Sequence, residues 1–171
     1  MEAKDVLADA LGRVRETVRR VVGALTAEQL LYRPGDDANS IAWTVWHLTR
    51  VQDHHLSDLA GRPQAWIADG WHARFDMPPD PLDTGTGHTS AQVAAFQTAS
   101  PETLIGYHDA VNQRSLAYLA TVTPADLEVV LDEPRFQPLP TVGVRLVSVA
   151  NDGALHSGEA AYIRGLVLGM G

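Results

Sequence analysis

Cysteine is absent from all 171 residues. Disulfides, thiolate metal ligands and a cysteine nucleophile are thereby excluded. Positive charge is scarce: 13 Lys and Arg stand against 21 Asp and Glu, a formal net charge of −8. A non-specific nucleic-acid binder needs a basic footprint, so no nucleic-acid partner is expected. Long apolar runs are missing too. No stretch approaches the ~18 consecutive apolar residues of a membrane span. The opening segment MEAKDVLADALGRVRE alternates charged and apolar residues and has no signal-peptide core. The expectations are no membrane partner and a cytoplasmic location.

What is present is ordinary for a globular chain: 45% hydrophobic and 20% charged residues. The length suits one domain over residues 1–171 with a single sizeable core. Apolar positions recur at three- and four-residue spacing from Ala3 to Leu25, which predicts a first long helix. TAEQ at Thr26 to Gln29 reads as a capping box opening a short turn. A second long helix is predicted after Asn39-Ser40, ending near Gly61. A third starts at Ser100, with Pro101 in its first turn, and runs to about Thr121. The fourth spans about Val144 to Leu168. The long connection GRPQAWIADGWHARFDMPPDPLDTGTGH separates the second and third. It should hold a short helix between Gln64 and Ala73, followed by another capped by TSAQ at Thr89 to Gln92. Residues 131–143, rich in Pro, read as a linker. The fold class is therefore all-α, a four-helix bundle with short extra helices, and the long connection requires at least one parallel pair of neighbours.

The last helix poses the functional question. At about 100° per residue, Ser148, Val149, Asp152, Leu155, His156, Glu159, Ile163, Leu166 and Val167 share one side. Asp152 and His156 lie one turn apart within an apolar stripe. A buried carboxylate without a partner costs several kcal/mol, on the order given for buried ions. A metal ion compensates, because it favours the ionised carboxylate and the neutral imidazole together. Three protein ligands are wanted, and His47 in SIAWTVWHLTR is the best third, since residues 41–48 are apolar nearly all round the helix. The plain alternatives are a core histidine bonded to a carbonyl at His47 and a buried ion pair at Asp152 and His156. On the other side of the helix, Ala154, Gly158, Ala161 and Gly165 form a stripe of small residues. It suggests close approach of another backbone, within the bundle or across a homodimer.

SIAWTVWHLTRVQDHHL and DGALHSGEAAYIRGL together resemble the DinB/YfiT-like superfamily of metal-binding four-helix bundles, over essentially the whole chain. Within it the likeness is greatest to the mycothiol-dependent branch that includes the N-terminal domain of maleylpyruvate isomerase. The resemblance implies one His on the second helix, matched by His47, and an acid or His four residues before a final His, matched by Asp152 and His156. The isomerases carry Glu where Asp152 stands, and Asp is shorter by one methylene. No second, isomerase-type domain follows the bundle, so the isomerase reaction is not expected.

Two imidazoles and one carboxylate leave a divalent ion with a residual charge near +1 and open coordination positions. Zinc fits; nickel or iron suit the same ligands. The resemblance implies that an open position takes the sulfur of a low-molecular-weight thiol such as mycothiol, presenting a thiolate to a small electrophilic substrate. The expected function is thiol S-transfer. The alternatives are a metal-dependent hydrolase using bound water and a non-catalytic, stress-associated metal-binding protein. Glu159 is a candidate general base or an acceptor behind His156, against a simple packing hydrogen bond. His108, on the stripe Leu104, His108, Val111, Ser115, Tyr118, is a candidate cavity group. His54 and His55 are read as structural or surface residues. Trp66, Trp71 and Phe75 either wall a pocket or cover one end of the bundle, with the second reading preferred. Arg164 should pair with a carboxylate or cap carbonyls near the helix end.

Overall fold

The computed structural model describes residues 1–97 and 100–169. Nine helices occur among the described residues: α1 (Ala3–Val22), α2 (Ala27–Leu31), α3 (Ile41–Leu59), α4 (Ala65–Ala68), α5 (Trp71–Arg74), α6 (Ser90–Ala95), α7 (Pro101–Leu119), α8 (Pro124–Leu127) and α9 (Val142–Leu168). The four long ones, α1, α3, α7 and α9, form the bundle. Their starts follow local chemistry. Ser40, Ser100 and Thr141 each accept the amide three residues on, at Trp43, Thr103 and Val144. Thr26 and Thr89 make the two predicted capping boxes of α2 and α6.

Each helix packs against two neighbours: α3 against α9 and α7, and α1 against the same two. Directions follow from which residues meet. Asn39 reaches Glu159 and His55 reaches Arg145, so α3 and α9 are antiparallel. His108 meets Thr49 and Ser115 meets Gln52, so α3 and α7 run parallel, as the long connection between them requires. Gly153 lies on Val14 and Arg164 donates to the Val21 carbonyl, so α1 and α9 are parallel as well.

The core divides into two ends. One holds the aromatics: Trp43, Trp46, Trp66, Trp71, Phe75, Phe96 and Tyr107. The other is aliphatic, with Leu11, Leu56, Leu119, Val142, Leu146 and Val149. Trp66 and Phe75 are 1% and 2% exposed, so they cover the bundle end as core residues. Fully burying a large apolar side chain contributes about 1.5–3 kcal/mol, which makes this aromatic end a principal source of stability.

Several boundaries differ from the sequence reading. The first helix stops at Val22, because Gly23 leaves helical geometry and Ala24 takes φ 63°. A Cβ at Gly23 would lie 2.8 Å from the Arg19 carbonyl oxygen. The single helix expected between Gln64 and Ala73 is two, split at Gly70 with φ 66°. The short helix α8, opened by a capping box at Thr123, was not foreseen. The small-residue stripe on α9 is not a bundle contact at its centre. Gly158 has nothing within 4 Å of an added Cβ, whereas Gly153, off that stripe, meets Val14 at 3.3 Å.

Candidate metal centre

His47 projects from α3 toward α9, where the antiparallel crossing sets it against one turn carrying Asp152 and His156. One ligand atom from each of the three lies within 4.8 Å of the others, an arrangement that can hold a metal ion. The two imidazoles meet edge to face, with centroids 4.8 Å apart and planes at 85°. His156 Nε2 is 3.6 Å from Asp152 Oδ1.

The hydrogen bonds behind the ligands settle which atoms are free. His47 Nδ1 lies 2.5 Å from the carbonyl oxygen of Thr84. A carbonyl only accepts, so Nδ1 carries the proton and Nε2 keeps its lone pair. His156 Nδ1 lies 2.9 Å from Glu159 Oε2, which turns its Nε2 toward Asp152. Asn39 donates to the other oxygen, Glu159 Oε1, at 3.2 Å. Such acceptors behind the imidazoles orient metal-binding histidines and raise their basicity. Trp43 stacks on the His47 ring at 4.9 Å and 10°. Gly85, at φ 84°, closes in from the connection, and a Cβ there would lie 2.7 Å from Trp46 and 3.2 Å from His47 Nδ1. Only glycine meets both the backbone angle and the space.

Asp152 supplies the test of fit. Its Oδ2 is buried and has no hydrogen-bond partner, the one carboxylate oxygen in that state among the described residues. A buried lone pair of this kind costs free energy that a cation recovers. The donor set of two imidazole Nε2 atoms and one carboxylate oxygen fits a divalent ion.

The charges agree with the geometry. Burial, foremost, holds the His47 pKa below its ordinary value and keeps the ring neutral. Burial likewise raises that of Asp152, against the pull of His156 and His47. The hydrogen bond to Glu159 raises His156, and the same bond lowers Glu159.

Asp152, His156 and Glu159 are half-buried rather than enclosed in the stripe, and Leu155 beside them is 65% exposed. The trio occupies the edge of the buried face that borders α3, with the His156 and Asp152 side chains 25% and 29% exposed and His47 buried. Of the remaining candidates, Glu159 joins the cluster as the partner of His156. His108 does not join it. It is 1% exposed, on the side of α3 that meets α7, with Nδ1 3.0 Å from Thr49 Oγ1. His54 contacts Gln64, and His55 sits against Arg145, its pKa lowered to about 3 by burial and that guanidinium. Arg164 caps the end of α1 through the Val21 and Gly23 carbonyls, not a carboxylate. Sequence reasoning missed Thr84, Gly85 and Asn39. The TGTG run at 84–87 is the one signal the sequence offers for them.

Comparison with known proteins follows the same lines. The family model described as the DinB superfamily matches residues 10–160. A crystal structure of a conserved protein from Enterococcus faecalis superposes with a TM-score of 0.90, at 29% identity over 99% of this chain and 99% of its own. No curated protein matches the chain.

Proposed function

The chain belongs to the DinB superfamily, and on that premise we propose that it is a divalent-metal-dependent enzyme that transfers a low-molecular-weight thiol to small electrophiles. The observation that carries the reading is the three-ligand cluster with its unpartnered Asp152 oxygen. A bound divalent ion, zinc being the expected one, supplies a Lewis acid with open positions that lowers the pKa of a thiol or water placed on it. The chain's own residues do the rest. His47 and His156 present Nε2, each held by an acceptor on Nδ1. Asp152 brings the single negative charge.

Glu159 serves His156 rather than a proton transfer. One of its oxygens faces His156 and the other accepts from Asn39. It is thus committed to orienting a ligand and is poorly placed to take a proton from an attacking water. A thiol or a water on the metal ionises without a protein base, so the choice of thiol is supported by the resemblance of the SIAWTVWHLTRVQDHHL and DGALHSGEAAYIRGL segments to the mycothiol-dependent branch.

Elemental analysis of protein purified without chelators, followed by cobalt substitution and a thiol-conjugation assay, tests the reading. Zinc at one equivalent, a sulfur-to-cobalt charge-transfer band on adding mycothiol, bacillithiol or glutathione, and conjugation of a small electrophile are expected. Ester or amide hydrolysis without thiol would replace it by the hydrolase reading. Bound metal with neither reaction would leave a metal-binding protein.

A further inference from the structure

The connection between α3 and α7 carries the carbonyl that orients His47, and a fully buried cation on α3 holds that connection. Arg50 is 0% exposed. It follows His47 by three residues, so the two side chains are neighbours on one helical face. Its Nε donates to the Asp83 carbonyl at 3.0 Å, and its Nη2 to the carbonyls of Pro81 and Asp80 at 3.1 and 3.4 Å. Its Nη1 donates to Gln64 Oε1 at 2.8 Å and to the Tyr107 hydroxyl at 3.3 Å. The next carbonyl after Asp83 is that of Thr84, which accepts from His47. Two consecutive carbonyls are thus held by two side chains of one rigid helix.

The segment is braced beyond that point. Asp83 Oδ1 accepts from the Gly85 amide and from His88 Nε2, each at 3.0 Å. His88 Nδ1 accepts from the Trp43 indole at 3.3 Å, and Trp43 is the ring stacked on His47. The braces converge on one imidazole.

A buried ion pair such as Arg50 with Asp53, at 3.7 Å, is weak grounds for stability, since apolar replacements at such sites are often neutral. Three carbonyls of the segment that ends on a metal ligand need the rigid fork of a guanidinium, which a lysine ammonium does not reproduce. We propose that Arg50 is a positioning residue of the metal centre, acting through residues 80–84 to keep the Thr84 carbonyl on His47 Nδ1 and so leave Nε2 for the ion. The proposal rests on the metal-centre reading above.

The test compares Arg50→Lys, Asp83→Ala and Tyr107→Phe with the wild-type full-length chain. Zinc affinity is measured by chelator competition, and the His47 tautomer by imidazole ¹⁵N NMR of the metal-free protein. Arg50→Lys and Asp83→Ala should bind zinc about 10- to 100-fold more weakly and lose the uniform Nδ1–H tautomer. Tyr107→Phe loosens the same buried network without touching residues 80–84. It should lower the melting temperature and leave zinc affinity and tautomer unchanged. Should Arg50→Lys not fold, Arg50→Gln decides in its place, since Asp83→Ala leaves the carbonyl held by Arg50 intact and reports on the brace through Gly85 and His88. Wild-type affinity and tautomer in the first two variants overturn the proposal. So does a loss of affinity in all three that merely tracks melting temperature. Wild-type protein that takes up no zinc overturns the metal-centre reading and this one with it, whereas zinc uptake with unaltered variants overturns this one only.

Discussion

Asp53 and Asp152 are carboxylates placed on opposite flanks of α3, and their surroundings are opposite too. Asp53, 2% exposed, accepts four hydrogen bonds: from the Ala65 and Trp66 amides, the Ser57 hydroxyl and the Tyr107 hydroxyl, all between 2.8 and 3.1 Å. Arg50 lies beside it. Burial and the Asp53 charge raise the Tyr107 pKa well above its ordinary value, so that hydroxyl stays a donor. Asp152 is less buried, yet its Oδ2 has no donor at all. Burial depth therefore does not separate structure from function here; satisfaction does. Asp53 is complete within the chain and caps α4, while Asp152 keeps a buried oxygen that no group of the chain satisfies. Orphan atoms alone are not enough, since His108 Nε2 is also unpartnered and no cluster surrounds it. Asp152 differs in having two imidazoles within reach.

The largest expected effect falls on the satisfied side. Asp53→Ala strands Arg50 and two amides in the core and should cost about 3–5 kcal/mol in denaturant unfolding. Asp152→Ala, measured in chelator, should cost far less, because it removes one unpartnered oxygen and one that makes only a 3.6 Å contact with His156. Equal losses would erase the distinction.

Protonation probes the intermediate case. Burial holds His108 down to about 4, while the nearby Asp109 works the other way. The unfolded chain takes up this proton first, near pH 6.5, so the stability is fully present above that pH. It is lost as pH falls to 4, by about 3 kcal/mol at 1.36 kcal/mol per unit. His55, held to about 3, adds a second proton over the same window. His108→Gln should therefore lower the slope by about one proton. An unchanged slope would mean that His108 is not buried neutral.

Metal addition probes the unsatisfied side directly. Zinc at 100 times its Kd should raise wild-type stability by about 2.7 kcal/mol, read as a shift in melting temperature. His47→Ala and Asp152→Ala should gain nothing while keeping their helical circular dichroism. A gain retained by either variant would remove that residue from the ligand set.

Glu159→Gln should give the smallest change. It keeps an acceptor for His156 Nδ1 and loses the charge, so zinc affinity should fall about tenfold, or 1.4 kcal/mol. A loss as large as that of a ligand deletion would make Glu159 a ligand in its own right.

Much of this was legible in the order of residues. Ser40, Ser100 and the Thr26 and Thr89 boxes announce helix starts through contacts three residues long, which need no tertiary context. The pairing of Asp152 with His156 follows from helical spacing, and His47 stood out because its neighbours are apolar on every side. Thr84 did not stand out, because its contribution is a backbone carbonyl and any residue type supplies one. Asp53 and Arg50 carry no signal in the sequence, since most of their partners lie in a connection that folds back over α3.

The sequence by itself determined the four long helices and the pairing of Asp152 with His156 on one turn, because these depend on interactions within a few residues. The tertiary structure decided which of the buried polar groups would be satisfied. The crossing of α3 and α9 brings His47 to Asp152 and His156. The path of residues 80–88 puts a carbonyl on one ring nitrogen and glycine against the ring. Hydrogen-bond satisfaction is a matter of position within a few tenths of an ångström, and only the packed bundle sets positions that finely between segments far apart in the chain.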